Sequence, residues 1–307
     1  MSEILTIFTA PKPFVDPHII NIQLNAIRSW KALGQEVSIV LIGNEEGIEQ
    51  AANTIGTSYI PNVERNNQGT PLISSIFNLA RNLNNSPLLA YVNADILLFQ
   101  DFLETAKSIF KLESKFLIVG QRYDLEVHSR INFDNDWDKR IKLECTEIGS
   151  LHSRGGSDYF IFPRTTFIKI PDFAVGRAGW DNWMFYEARK NKWKTIDATS
   201  SIKIIHQNHD YSHLPGGQPH YRMPETNENV KLAGGRRTIF SLMDVNYEFH
   251  QGKLKKYPTN WKKFWREVEI FPLISLNSKT IAQIFFGLFH PKKAYQEFRK
   301  WVNTRND

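Results

Sequence analysis

Short apolar runs alternate with amphipathic stretches along the first hundred residues. Runs typical of buried strands lie at residues 4–8, 37–42, 58–60 and 88–92. Helices are predicted between them, at residues 19–33, 47–53 and 71–83, the last with Thr70 as its N-cap and Pro71 as its first residue. This alternation predicts an α/β fold: a mostly parallel sheet with right-handed crossovers and helices on both faces.

The stretch at residues 86–99 organises this pattern. Its apolar run suits a central strand, and it is interrupted by the polar loop Asn93-Ala94-Asp95 before a second apolar run follows. A carboxylate buried there without a partner costs several kcal/mol, so Asp95 must be hydrogen-bonded, paired or on a metal. Ligands of open α/β sheets bind outside the carboxyl ends of strands, which is where this loop lies. A turn that caps the next helix is the alternative.

The second half of the chain is less regular. Further strands are predicted at residues 116–119, 159–162 and 202–205, and a helix at 182–190, with a polar insertion at 120–149. No regular pattern is evident at residues 216–257, and amphipathic helices are predicted beyond 257. We therefore expect a catalytic domain at 1–215, a connector or lid at 216–257 and a helical segment at 258–307.

Composition narrows the protein class. A chain of 307 residues can bury a full core, and its single cysteine, Cys145, excludes an internal disulfide and is compatible with a reducing cytosol. Residues 4–8 are predicted to be a strand, not part of a signal peptide, and no apolar run approaches the ~18 residues of a spanning helix. A cytoplasmic protein is expected.

The charge is concentrated at one end of the sequence. Residues 251–307 hold 12 Lys and Arg against 4 Asp and Glu, a net charge of +8, whereas residues 1–250 carry a net charge of −2. Nucleic acid is therefore a poor partner for the body of the protein. The basic C-terminal helices are also rich in aromatic residues, which favours an anionic membrane surface; packing on the catalytic domain is the alternative.

Three polar clusters follow predicted strands: Asn93 with Asp95, Trp180 with Asp181, and His206 with His209. On one sheet, all three would lie at the carboxyl edge. Over roughly residues 3–215, the order of strands and motifs resembles the GT-A glycosyltransferases, closest to glycosyltransferase family 2. No GxGxxG follows the first strand and no GxxxxGK[ST] occurs, so dinucleotide and P-loop sites are disfavoured.

The resemblance implies a chemistry for these clusters. Asp95 and His206 would hold a divalent cation, Mn²⁺ or Mg²⁺, on the diphosphate of a nucleotide-sugar donor. Asp181 would be the general base that activates an acceptor hydroxyl, in an inverting transfer; its alternative role is a helix cap. The acceptor would be a glycan or a lipid-linked sugar. Asn93 departs from the family's D-x-D motif, because an amide brings no charge to the metal.

The resemblance also implies which residues bind the two substrates. The donor would meet Asn93 and Asp95, and the loops after the first three strands would contribute Thr9, Ala10, Asn44, Glu45, Arg65, Asn67 and Gly69. The acceptor would meet Asp158, Trp180 and His209, with Trp180 stacking on a sugar. The run Gly234-Gly235-Arg236-Arg237 is interpreted either as a lid over the diphosphate or as a basic turn.

Three other functions compete with this interpretation. A sugar-nucleotide nucleotidyltransferase needs a glycine-rich loop after the first strand, and residues 9–13 contain no glycine. Asn93 in place of an aspartate is compatible with a catalytically inactive binding protein. A zinc hydrolase could use His206, His209 and His213, but the Asn, Asp and Ser residues between them disfavour the helix that would align these side chains.

Overall fold

The computed structural model describes residues 3–155, 157–209 and 223–303. The first half contains, in chain order, β1 (Leu5–Thr9), α1 (Pro17–Lys31), β2 (Val37–Ile42), α2 (Ile48–Ile55), β3 (Ser58–Ile60), α3 (Ile73–Leu83), β4 (Leu88–Val92), β5 (Ile96–Leu97), α4 (Gln100–Leu112), β6 (Phe116–Val119), β7 (Tyr123–Leu125), α5 (Trp137–Ile148) and β8 (Ser150–Leu151). The second half contains β9 (Tyr159–Pro163), α6 (Trp180–Lys190), β10 (Lys194–Asp197), β11 (Ile205–Gln207), α7 (Pro224–Leu232), β12 (Tyr247–His250), β13 (Lys253–Lys256), α8 (Trp261–Ile274), α9 (Lys279–Phe289) and α10 (Pro291–Asn303).

A nine-stranded sheet forms the centre of the described structure, in the order β13-β12-β10-β6-β9-β4-β1-β2-β3. Its neighbouring strands are parallel except where β9 pairs with β4 and β6, and where β13 pairs with β12. Because β9 runs against β4, the residue before β9 lies beside the residue after β4. The carboxyl edge of β4 therefore gathers residues from the amino end of β9 as well.

A second, four-stranded sheet lies beyond this edge, in the order β5-β11-β7-β8. It begins directly after the Asn93-Ala94-Asp95 loop, because β5 pairs antiparallel with β11 and sets His206 opposite Ile96. The parallel pairing of β11 with β7 sets His206 opposite Asp124. The expectation that all three polar clusters end strands of one sheet was wrong for His206, which lies within a strand of this second sheet.

Alternate residues of the central strands belong to two hydrophobic cores, one on each face of the sheet. Leu88 and Ala90 of β4 pack with α1, α2 and α4 on one face, while Leu89 and Tyr91 pack with α3, α6 and α8 on the other. A third, smaller core under the second sheet includes Phe99, Trp137 and Cys145. The predicted α/β architecture, a mixed and mostly parallel sheet with helices on both faces and helices at the C-terminus, is confirmed.

Two segments contain more secondary structure than their sequence patterns indicated. The polar insertion at 120–149 contains β7 and α5, and the stretch at 216–257 contains α7 and the β12–β13 hairpin, which extends the main sheet. These strands have at most four residues, and Lys253 and Lys255 of β13 are exposed. Pairing to a neighbouring strand stabilises them, so their own hydrophobic pattern is too weak to reveal them. The proposed domain boundaries stay a prediction.

The C-terminal helices are anchored to the main domain through α8. Ile270 and Leu273 are buried in the same core as α6. Beside them Arg189 of α6, only 6% exposed, donates to Glu267 of α8 at 2.6 Å, and Lys263 lies 2.8 Å from the same carboxylate. Within the described ranges, no helix is long and apolar enough to span a lipid bilayer.

The Glu267 ion pairs predict a pH-dependent stability. Burial alone would raise the pKa of Glu267, but Arg189 and Lys263 outweigh it and hold that pKa below the usual 4.5. A lowered folded-state pKa stabilises the fold above about pH 4.5, and this stabilisation is lost as the pH falls below that value. We expect Glu267→Gln to lower the free energy of unfolding at pH 7, and the difference from wild type to shrink in acid, as measured by urea denaturation across pH 3.5–7.

Glu147→Gln is the matched control, because Glu147 is exposed on α5. It should leave the unfolding free energy almost unchanged at every pH. A Glu267→Gln effect that stays constant down to pH 3.5 would contradict the ion-pair account.

Candidate functional site

Asp95 is fixed through its backbone. At the end of β4 the Asn93 N–H donates to the Asp158 carbonyl at 2.9 Å, which ties the loop to the start of β9. The Asp95 carbonyl accepts from both the backbone N–H and the side-chain Nε2 of Gln207, each at 3.2 Å. Gln207 is fully buried in β11, next to His206. Strand β11 thus positions Asp95 through Gln207 and also carries His206.

Buried polar side chains of α1 form hydrogen bonds with the residues that follow this loop and with β11. Trp30 Nε1 donates to the Ile96 carbonyl at 2.8 Å, and Ser29 Oγ accepts from the Leu98 N–H at 3.0 Å. Asn25 Nδ2 donates to Gln207 Oε1 at 3.0 Å. Polar groups in such a core are kept only when they are hydrogen-bonded, and each of these bonds ends on the segment that presents Asp95 or on its neighbour β11.

Two histidines converge on the Asp95 carboxylate. Oδ2 lies 3.1 Å from His209 Nε2 and 3.8 Å from His206 Nε2. One ligand atom from each of the three residues lies within 4.8 Å of the other two, and the side chains are 10–14% exposed. The other carboxylate oxygen, Oδ1, is buried and has no hydrogen-bond partner among the described residues. This donor set fits a divalent cation, because an orphaned carboxylate oxygen beside two imidazoles is what a metal would satisfy.

Asp124 orients His206 from the far side. Its Oδ1 lies 3.2 Å from His206 Nδ1, and its Oδ2 lies 2.7 Å from His152 Nδ1. His206 Nδ1 makes no hydrogen bond with a described residue, so its 3.2 Å approach to Asp124 is an electrostatic contact. Nε2, which lies 3.8 Å from Asp95, is the nitrogen placed to coordinate a metal.

The electrostatics of the cluster keep its acids ionised. Burial alone would raise the pKa of Asp95, but His209, His206 and Lys12 together hold it far below its usual range. Burial would likewise raise the pKa of Asp124, which is held far below its usual range by His206, His152 and Arg122. For His206, burial acts to lower the pKa, and the two carboxylates outweigh it and raise the pKa. Two carboxylates whose pKa values are lowered thus lie next to the histidine.

The side chains of Asn93 and Asp158 are hydrogen-bonded to each other. The Asn93 side-chain Nδ2 donates to Asp158 Oδ1 at 3.0 Å, and Arg122 donates to the same oxygen at 2.8 Å. Asp158 was predicted to contact the acceptor, but its carboxylate is 12% exposed and engaged in these bonds. The structure therefore gives Asn93 a structural contact that an aspartate, lacking N–H groups, could not make.

Asp181 lies in the first turn of α6, where its Oδ1 accepts from the Gly179 N–H at 3.1 Å. Gly179 has φ +114°, and a Cβ there would lie 3.3 Å from Asn229 and Val230 of α7, so this turn needs glycine. Burial is the first reason that the pKa of Tyr91 is raised, and the charges of Asp95, Asp158 and Asp181 all add to it. The charges of all three carboxylates thus act on one buried phenol.

The two tryptophans beside Asp181 are core residues. Trp180 is 6% exposed, with its ring 4.9 Å from Tyr91 and 5.4 Å from Phe160, and Trp183 is equally buried against Phe173. The helix periodicity turns both indoles inward. The structure therefore places Trp180 in the packing between α6 and the sheet, where its ring faces are covered, and not at an open surface where a sugar could stack.

Several residues predicted to bind the donor come together after β2 and β3. Arg65 Nη2 donates to Asn44 at 2.5 Å and lies 2.8 Å from the Glu45 carboxylate, while its Nη1 donates to the Gly69 carbonyl at 2.8 Å. Asn44 and Glu45 also line an open cleft of about 530 Å³. Because Arg65 is paired with Glu45, it joins two loops and its charge is already offset. Thr9 is buried at the end of β1, and Ala10 packs against the core.

The helix start that was predicted to face the donor phosphates, at Gly69 and Thr70, is not formed by these residues. Residues 66–70 form a closed turn in which Asn66 Oδ1 accepts from the N–H groups of Gln68 and Thr70, and α3 begins only at Ile73. The Ile73 N–H donates to the Phe173 carbonyl. Thr70 is therefore not the N-cap that its residue type indicated, because the asparagine bonds override it. Asn67 and Gly69 are exposed on this turn.

The Gly234-Gly235-Arg236-Arg237 run connects to the C-terminal helices. The Arg237 guanidinium lies 3.2 Å from the Phe286 ring centroid, donates to Gln283 at 3.0 Å and pairs with Glu297. Gly234 approaches Lys279 so closely that a Cβ would lie 3.1 Å from its Nζ. Of the two interpretations, the structure supports a basic turn, since Arg237 is engaged by α9 and α10.

Three members of the site had no recognisable signal in the sequence. Lys12 follows β1 and its Nζ lies 3.3 Å from His209 Nε2; Asp124 and Gln207 reach the site through the second sheet. Lys12 lies between two prolines, a loop signal without a function attached. His209, predicted to contact the acceptor, lies with Asp95 and His206 in the group that could hold a metal; its role towards the acceptor stays a prediction. His213, the third histidine of the zinc alternative, lies outside the described residues.

Neither a family model nor a curated protein matches the sequence. Among solved structures, the chain is similar to the mannosyltransferase PcManGT from Pyrobaculum calidifontis, determined with GDP-Man and Mn²⁺ (TM-score 0.43, 10% identity, 67% of this chain and 57% of that chain). It is also similar to residues 1–349 of TarS from S. aureus (TM-score 0.40, 10% identity, 67% of this chain and 58% of that chain). The chain thus spans less than two thirds of either structure, and both similarities concern the fold.

Trp180 provides a stability test of its position. Truncating a fully packed aromatic side chain removes its burial and leaves a cavity, so Trp180→Ala should lower the free energy of unfolding by about 3–5 kcal/mol in urea denaturation. Trp261→Ala is the matched control, because Trp261 is 72% exposed and should cost little. Equal effects from the two substitutions would show that Trp180 is not a core residue.

Proposed function

We propose that this protein is a metal-dependent glycosyltransferase that moves a sugar from a nucleotide-diphosphate donor to a hydroxyl acceptor. The observation that carries the proposal is the Asp95 carboxylate, which has an orphaned buried oxygen beside His206 and His209, directly after the central strand β4. The crevice at the carboxyl ends of parallel strands is where α/β sheets bind nucleotides. Asp181, in the first turn of α6, acts electrostatically on the same buried Tyr91 as Asp95.

The donor set points to Mn²⁺ in preference to Mg²⁺. Magnesium requires oxygen ligands in a near-ideal octahedron, whereas two of the three candidate ligands here are imidazoles. When bound, such a cation would neutralise the negative charge that develops on the departing nucleoside diphosphate. Asn93, whose side chain is bonded to Asp158, adds no charge to the site. The described residues supply one carboxylate, and we propose that the donor's own phosphates complete the coordination.

Asp181 is the residue we propose as general base. In the transfer, the acceptor oxygen forms a bond to the anomeric carbon, the bond to the nucleoside diphosphate breaks, and the hydroxyl proton passes to the carboxylate. The Gly179 N–H fixes the orientation of Oδ1, and the N-terminal end of α6 favours a negative charge at this position. Because a base opposite the leaving group produces inversion, we propose an inverting transfer to a glycan or a lipid-linked acceptor.

A basic aromatic surface on the C-terminal helices favours an anionic membrane as the acceptor's location. Trp261, Phe264, Trp265 and Phe289 form a cluster with ring centroids 5.3–5.9 Å apart, here called the aromatic cluster. The first three are 39–72% exposed. Exposed lysines lie along the same segment, at Lys262, Lys292 and Lys293. We propose that this surface rests at the headgroup level of anionic lipids, with aromatic rings inserted and ammonium groups on phosphates.

The metal proposal predicts a specific loss on Asp95→Asn. A ligand that binds only the folded state raises its stability, by about 2.7 kcal/mol at a hundred times Kd. Nucleoside diphosphates with Mn²⁺ should therefore raise the melting temperature of the wild type. Asp95→Asn should abolish the Mn²⁺-dependent part, and His206→Ala should reduce it by less, in a thermal-shift panel with and without Mn²⁺. An undiminished Mn²⁺-dependent shift in Asp95→Asn would remove Asp95 from the cation site.

The base proposal predicts a rate effect without a binding effect. Asp181→Asn keeps the shape of the side chain but cannot accept a proton, so kcat should fall by ~10²–10⁴-fold, while nucleoside diphosphate affinity stays near the wild-type value. Release of nucleoside diphosphate from a panel of sugar nucleotides measures the rate, and calorimetry measures affinity. Glu187→Gln, the analogous carboxylate-to-amide change at a partly exposed position of α6, is the control and should leave both unchanged. If Asp181→Asn turns over normally, Asp181 is a helix cap.

The membrane proposal predicts that exposed rings of the aromatic cluster carry lipid affinity. The double substitution Trp261→Ala, Phe264→Ala should weaken sedimentation with anionic liposomes at least tenfold, since each buried aromatic contributes more than ~1 kcal/mol, and wild-type binding should weaken as salt rises. The control is Leu143→Ala, Ile148→Ala, which removes apolar side chains of similar exposure from α5. Equal liposome binding by the two double variants would rule out this surface.

A further inference from the structure

Lys12 lies inside the candidate metal site. Its Nζ lies 3.3 Å from His209 Nε2, the same nitrogen that lies 3.1 Å from Asp95 Oδ2. One imidazole nitrogen either accepts a hydrogen bond or donates one. It therefore cannot bond the ammonium and the carboxylate at the same time. Lys12 and Asp95 compete for His209 Nε2.

The base of Lys12 is held in place. Pro11 and Pro13 flank it and restrict the backbone of the loop. The Lys12 N–H donates to Gln23 Oε1 at 2.8 Å, and Gln23 Nε2 donates back to the Lys12 carbonyl at 3.0 Å. Gln23 is 2% exposed in α1, so this pair of hydrogen bonds lies in the core. The backbone is anchored, whereas the four-carbon side chain keeps its own rotational freedom.

The Lys12 ammonium and a divalent cation would both be attracted by the Asp95 carboxylate. The Lys12 Nζ lies 3.3 Å from His209 Nε2, and that nitrogen lies 3.1 Å from the Asp95 carboxylate, so the ammonium is close to this anion. Opposite charges at such short range attract each other. A cation held by Asp95, His206 and His209 would repel the ammonium at short range. The side chain would then have to turn to another anion, and a donor diphosphate on the same cation is the anion that the proposed reaction brings.

We propose that Lys12 couples cation binding to nucleotide binding. Without a nucleotide its ammonium occupies the neighbourhood of Asp95 and His209 in place of the cation, and with cation and nucleoside diphosphate bound it contacts the diphosphate. The inference rests on the proposed function. A lysine ammonium is a compact charge that suits phosphate oxygens. The cation then binds weakly alone and more tightly with the nucleotide, and by linkage each strengthens the other equally.

Lys12→Met tests this with two changes of opposite sign. Isothermal calorimetry should show Mn²⁺ alone binding about five- to tenfold tighter, because the competing charge is gone. UDP or GDP, whichever binds the wild type at saturating Mn²⁺, should bind about five- to tenfold weaker, because the phosphate contact is lost. Lys111→Met removes a charge from the last turn of α4 and should change neither affinity. Lys12→Arg should retain nucleotide affinity better than Lys12→Met.

The outcomes separate the two proposals. A wild type that binds neither Mn²⁺ nor a nucleoside diphosphate overturns the proposed function and this inference with it. A wild type that binds both, with Mn²⁺ affinity unchanged or weaker in Lys12→Met, overturns the inference alone. Unchanged nucleotide affinity in Lys12→Met does the same. Circular dichroism of each variant, and Lys12→Gln as a second neutral replacement, distinguish these results from misfolding.

Discussion

The burial of one carboxylate constrains this structure more than any other single feature. Asp95 lies where the central strand ends, 14% exposed, with one oxygen that no described residue satisfies. An ionised group in such a place is strongly destabilising unless cations and hydrogen-bond donors surround it. His206, His209 and Lys12 come from two separate parts of the chain to meet this requirement. Strand β11 and the residues just after it bring the two histidines, and the loop after β1 brings the lysine.

Helix α1 connects this requirement to the fold. Its buried polar side chains bond to the segments around the site: Gln23 to the Lys12 backbone, Asn25 to Gln207, and Ser29 to the Leu98 backbone just after β5. A helix of a simple hydrophobic core would place apolar residues there. Since each amide or hydroxyl would be costly without its partner, these residues fix the loop geometry at the same time as they pack. The precision of the site thus depends on the core, not on surface loops.

The sequence alone located part of this arrangement. Asp95 and His206 could be predicted because a polar residue at the end of an apolar run is an unusual signal with a limited set of explanations. Lys12 and Asp124 could not, because their roles depend on which strands pair, and β7 is a three-residue strand whose own pattern is uninformative. Trp180 shows the opposite difficulty: its neighbour Asp181 suggested a ligand surface, whereas helix periodicity turned the indole into the core. Side-chain direction, more than element position, limited the prediction.

Asn93 illustrates how the antiparallel strand shapes the chemistry. Because β9 runs against β4, Asp158 lies beside Asn93, and an aspartate at position 93 would set two carboxylates against each other next to Asp95. The amide avoids this repulsion and donates a hydrogen bond instead. The candidate site thus has, among the described residues, one carboxylate and two imidazoles, a set that would hold a divalent cation less firmly than two carboxylates would. Such a site depends on the phosphates of its substrate for the remaining charge, so cation and nucleotide would be bound together or hardly at all.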